Sequence, residues 1–214
     1  MVNVRPRLKY VPMDDGETLT FRNEAEKWKK RGAYGKAWPM YARLTTAGDE
    51  NARFECAQML FNGWGTKENK AAALVLFSGL ATERFPLLNF YLGLYYEQGL
   101  FVVQDYEKAF RYYTAGAEAG DVLCLTQLGT MYGKGNYVDR DPERAAEFYR
   151  RASNAGDILG TANLGWCYAN GEGVEMDLKK AKELYEIAAA GREEHAVDEL
   201  AHFDEYYGRP DGEK

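Results

Sequence analysis

Three constellations in this 214-residue chain have residue types and spacing that could do chemistry. His195, Glu199 and His202 fall at i, i+4 and i+7, so on one helix all three project from one face, a geometry that can ligate a metal. The same spacing on a terminal helix lets one histidine pack inward while the others face water. Gly63/Gly65 and Gly171/Gly173 have the Gly-x-Gly form of a phosphate loop, but they follow no strand of a βαβ unit and recur at a fixed period, so they read as turns. Asp105, Asp141 and Asp177 recur with that period too, each just ahead of a helical run, and read as N-caps and not as catalytic acids. No serine or cysteine has a histidine near it in sequence. A hydrolase or metal-dependent enzyme therefore lacks its polar constellation, and no catalytic residue, metal or cofactor is expected.

Composition points to a soluble folded protein and away from a polyanion binder. The chain is 46% hydrophobic and 28% charged, with 27 basic against 33 acidic side chains and a net charge of −6, the profile of a soluble folded protein. That charge argues against wrapping nucleic acid or coating anionic membranes. Cys56, Cys124 and Cys167 are an odd count in no zinc pattern, and read as free thiols in a reducing compartment. Residues 1–10 lack the apolar stretch of a secretory signal, and every apolar run falls short of the roughly 18 residues of a membrane span. The expectation is a cytoplasmic protein, or a secreted or periplasmic one if a leader was removed.

The elements that must position these residues are set by an internal repeat. At an offset of 36 residues Leu92, Leu128 and Leu164 coincide, as do Gly93, Gly129 and Gly165, then Tyr96, Tyr132 and Tyr168, and then Val102, Val138 and Val174. Ala37, Ala73, Ala109, Ala145 and Ala181 align, followed by Tyr41, Phe77, Tyr113, Tyr149 and Tyr185. Apolar residues at helical spacing make each unit two helices, joined by a Gly-rich connection such as Gly133 to Val138. Gly48-Asp49, Gly120-Asp121 and Gly156-Asp157 end one helix and cap the next, with Gly191 one residue early. Small residues such as Gly129 and Ala145 let helices approach, with Tyr132 and Tyr149 beside them.

The predicted organisation is an extended arm over 1–20, a degenerate unit at 21–48, full units at 49–84, 85–120, 121–156 and 157–191, a terminal helix at 192–207 and a tail at 208–214. A helix pair of this size cannot bury its face alone, so the units stack into an all-α solenoid. Leu164 through Asp177, followed by Ala181 and Tyr185, resembles the Sel-one-like repeat (SLR) family, a variant of the tetratricopeptide (TPR-like) fold. The resemblance departs in the first full unit at Ala57, Leu60, Thr66, Asn69 and Arg84. It implies a right-handed α/α superhelix of antiparallel helix pairs that acts as a protein- or peptide-binding scaffold or adaptor. Bacterial members of the family also act in immunity to toxins and in host interaction. Some cysteine-rich relatives are associated with β-lactams, but here the three cysteines occupy three different repeat positions, so that activity is not expected.

By the family's register the first helix of each pair lines the concave face. The candidate partner-binding residues there are Asn51, Phe54, Gln58, Phe90, Tyr91, Leu94, Gln98, Thr126, Gln127, Asn163, Trp166 and Asn170. Amides among them can pair with a peptide backbone, and Phe90 and Trp166 can seat apolar anchors, although Phe54 and Phe90 can equally pack between repeats. Phe101 stands where the repeat has glycine, beside Leu100 and Val102, and either folds back or forms a docking patch. Residues 1–31 carry eight basic and five acidic side chains, whereas 192–214 carry three and eight. A monomer is expected, with weak head-to-tail association open to it, and neither nucleic acid nor a membrane as partner.

Overall fold

The computed structural model describes residues 11–208. Among these, every regular element is a helix: α1 (Asp15–Lys30), α2 (Tyr34–Thr46), α3 (Glu50–Asn62), α4 (Lys70–Phe77), α5 (Leu87–Gln98), α6 (Tyr106–Glu118), α7 (Val122–Lys134), α8 (Pro142–Asn154), α9 (Ile158–Asn170), α10 (Leu178–Ala190), α11 (Glu194–Ala201) and α12 (Phe203–Tyr206). They run as sequential antiparallel pairs. No described helix is long and apolar enough to cross a membrane.

Local chemistry explains where the helices start and stop. Asp49, Asp121 and Asp157 accept from the backbone N–H of Ala52, Cys124 and Gly160 and so cap α3, α7 and α9. Asp105, Asp141 and Asp177 do the same for α6, α8 and α10, and Asn69 caps α4 without a charge. Gly63, Gly99, Gly135 and Gly171 end α3, α5, α7 and α9 in the left-handed conformation.

The chain forms two compact units, one of residues up to 88 together with 94–104, the other of 89–93 together with 105 onward. In the first, Ala25, Ala37, Tyr41, Leu44, Ala52, Cys56 and Met59 form a core, with Phe21, Trp28 and Trp38 against it. In the second, Ala145, Tyr149, Leu164, Ala181, Tyr185 and Phe203 lie in one continuous core. There the aligned glycines are fitted to the aligned aromatics. A Cβ on Gly93 would stand 2.2 Å from the Tyr113 ring, and one on Gly129 would stand 2.6 Å from that of Tyr149.

Three places depart from the predicted organisation. Residues 15–20, read as part of an arm, are the first turns of α1, because Asp14 accepts from the N–H of Glu17 at 2.7 Å. Residues 1–10 and 209–214, which hold the first half of that arm and nearly all of the tail, lie outside the described residues. Helix α4 stops at Phe77, and residues 78–86 form an irregular joint where Phe85 stacks on Phe54 at 4.8 Å. Gly191 does not take the left-handed turn that ends α10; Arg192 does, at φ 64°, in strict 36-residue register. Gly191 is needed for packing, since a Cβ there would meet Ile158 at 2.8 Å.

Candidate partner-binding site

The predicted groove residues separate by burial. In the first unit Phe54 is buried between Phe85 and Phe77, and Gln58 is buried with it. Leu94 is also buried there, whereas Gln98 is exposed and Asn51 is exposed with its Oδ1 3.4 Å from the Arg84 guanidinium. In the second unit Tyr91 is buried and Phe90 half-buried, the two rings edge to face at 5.5 Å. Thr126 is buried and donates to Asp157 at 2.5 Å, which ties it to the α9 cap and removes it from any surface. Gln127 and Asn163 are half-buried, and Asn170 is exposed with its amide donating to the Trp166 carbonyl.

Trp166 is different. Its side chain is 41% exposed and lines a pocket of about 190 Å³ in the second unit, together with Asn163. Helix α7 contributes Thr130, Gly133 and Lys134, α8 contributes Pro142, Ala145 and Tyr149, and α9 contributes Asn163, Trp166 and Cys167. The space exists because Gly133 and Ala145 face each other there; a Cβ on Gly133 would still be 3.6 Å from that of Ala145. Tyr149 closes the floor and donates to Thr130 at 3.2 Å. At the rim Arg140 pairs with Glu172 and donates to the Gly133 carbonyl at 3.1 Å, while Lys134 is exposed. Gly133, Pro142, Arg140 and Glu172 were not among the predicted residues. The one cue in the sequence was Gly133 itself, where the other units carry Phe61, Glu97 and Ala169.

The ionisable groups on the pocket floor are buried. Burial pushes the Tyr149 hydroxyl up to about 12 and the Cys167 thiol up to about 11, so neither is a nucleophile near neutral pH. Burial likewise raises Cys56 to about 11 and raises Cys124 further, and all three thiols are free. The histidine constellation comes apart because α11 ends at Ala201. His195 faces Glu199 at 3.4 Å, His202 faces Asp198 at 3.4 Å, and Glu199 is taken by the Tyr207 hydroxyl. No group of three or more metal-ligating side chains occurs among the described residues.

The Sel1 repeat family model matches residues 51–78, 87–121, 122–157 and 159–191, more than half of the sequence. The chain belongs to the Sel1 repeat family. The matches begin and end within three residues of the capped joints, except at 78 and 87, which flank the irregular joint. A solved Sel1 repeat protein from Oxalobacter formigenes is similar, with a TM-score of 0.73 at 26% identity over 91% of this chain and 82% of its own. The SLR-fold protein c5321, a protective antigen present in uropathogenic Escherichia coli strains, gives 0.65 at 27% identity over 89% of this chain. This chain spans 42% of that antigen's length. No curated protein matches the chain.

Proposed function

We propose that this Sel1 repeat chain is a protein- or peptide-binding scaffold without catalysis, and that in its second unit the face made by α7 and α9 holds the ligand. The observation that carries this reading is Trp166, a large apolar ring left 41% exposed at the edge of an apolar-floored pocket. Tryptophan side chains anchor interfaces because they bury much area at little entropic cost. Asn163 and Asn170 beside it carry donors and acceptors suited to a peptide backbone, and Lys134 at the rim favours a ligand with an acidic neighbour to its anchor.

Selection of a random-peptide display library on the parent protein tests this. The parent enriches one motif with a large apolar residue, and Trp166→Ala weakens the enriched peptide by about tenfold or more. Gly133→Leu, which fills the pocket from a helix that tolerates a side chain there, weakens it as well. Peptides held equally by the parent and both folded variants overturn the site.

A further inference from the structure

The last turn of α1 and the first turn of α2, both in the first unit, gather Lys27, Lys30, Arg31 and Lys36, all exposed. None of the four is ion-paired with a carboxylate among the described residues. Three of them surround one indole: Lys36 Nζ lies 4.2 Å from the Trp28 ring centroid, the Arg31 guanidinium 5.6 Å and Lys27 Nζ 5.9 Å. Glu26 on the same helix accepts from the Tyr41 hydroxyl, and Glu55 pairs with Lys29. Four cations gathered at one helix end, none of them in an ion pair, repel one another, and an arriving anionic surface relieves that repulsion.

The same chain carries a surface of opposite sign. Of the described residues 192–208, six are acidic and one, Arg192, is a lysine or arginine. On α11 and α12 in the second unit, Glu194 and Glu205 are exposed and make no ion pair among the described residues, and Tyr206 beside Glu205 is 51% exposed. We propose that the cationic collar around Trp28 receives the acidic α11–α12 surface of a second copy of the chain. A second copy fits better than a nucleic acid because the whole chain is at −6, which opposes a long polyanion, while the matching acidic surface is present in equal number on every molecule. Both surfaces are solvent-exposed, so the contact is weak and governed by ionic strength.

Sedimentation velocity of the full chain at about 20 mM and about 300 mM salt, conditions that bracket a Debye length of roughly 10 Å, provides the test. The sedimentation coefficient rises with protein concentration at low salt and stays at the monomer value at high salt. Lys30→Glu/Arg31→Glu/Lys36→Glu and, separately, Glu194→Lys/Glu205→Lys remain monomeric at low salt, with folding checked by circular dichroism. Mixing the two variants restores association. Their formal charges, −12 and −2 from the parent's −6 after three and two reversals, have the same sign, so bulk attraction does not explain recovery. A parent that is monomeric at both salts overturns the proposal, as does association that neither variant changes. A monomeric parent whose collar binds a short poly-glutamate peptide by calorimetry also overturns it, and assigns the collar to a foreign acidic ligand.

Discussion

At the same step of four successive interhelical loops, residues 65, 101, 137 and 173, the backbone is left-handed, with φ of 68°, 58°, 70° and 72°. Two of these residues are glycine and two are aromatic. At Gly173 a Cβ would stand 2.0 Å from the Pro142 carbonyl oxygen, and at Gly65 it would stand 2.2 Å from the backbone of Tyr34, each at the start of the second helix one unit earlier. Phe101 is 68% exposed, and Tyr137 is 53% exposed with its ring 5.6 Å from Phe110. The backbone conformation is thus a demand of the repeat, whereas the glycine is a demand of close packing. At residues 101 and 137 an aromatic side chain is admitted in the same conformation, with left-handed strain of about 1–2 kcal/mol.

The comparison is broken most forcefully at the tight loops. Gly173→Ala combines overpacking against fixed backbone with the left-handed penalty, and a loss of about 2–4 kcal/mol is expected in urea denaturation. Gly65→Ala behaves alike. A loss below about 1 kcal/mol at both sites would mean that the loops yield and that packing does not select glycine.

The open loops should respond in the opposite direction. Phe101→Gly relieves the strain and removes a ring that makes little contact, so a gain of about 0.5–1 kcal/mol is expected after the entropy glycine adds to the unfolded chain. Tyr137→Gly gains the same relief but loses the contact with Phe110, which is worth about 0.5–1.5 kcal/mol, so its net change is near zero. The difference between these two variants, read by thermal unfolding, isolates the ring contact. If Phe101→Gly destabilises the protein, the exposed ring has a packing role that its exposure hides.

The sequence made the loops and caps legible because glycine and aspartate act on their immediate neighbours, so period and residue type suffice. The N-cap role of Asp105, Asp141 and Asp177 followed from position alone. The interior of the groove was harder to read. Helix α3 packs against both α2 and α4, and α9 against both α8 and α10, so a first helix buries more than one face. Phe54, placed on an open face by register, falls inside for that reason, and Tyr91 and Leu94 on α5 are buried as well. The pocket beside Trp166 depends on a missing side chain at Gly133, and a gap has no periodic signature. Arg192 in the left-handed conformation is illegible for a related reason. The adjacent glycine invites that assignment, but the packing of Ile158 on Gly191 is a contact between residues 33 apart.

The smallest effect sharpens the comparison at the end of the Phe101 loop. Asp105 caps α6 through the N–H of Lys108, with the Lys108 ammonium 2.9 Å away, and these contacts hold its carboxyl below the ordinary carboxylate range. Because the folded state favours the ionised form, the contribution is present above the unfolded pKa of about 4 and is lost as pH falls through the folded value. Asn69 makes the equivalent cap in the unit before with no charge. Asp105→Asn therefore keeps the cap hydrogen bond and loses only the ion pair and the favourable dipole interaction, so little stability is lost at neutral pH. What disappears is this residue's share of the acid dependence. Denaturation of the parent and the variant at pH 7 and near pH 3 measures it, and the two proteins converge at the lower pH. A gap between them that persists at acid pH would mean that the asparagine has disturbed the cap itself, and that the loops of Asn69 and Asp105 are not equivalent.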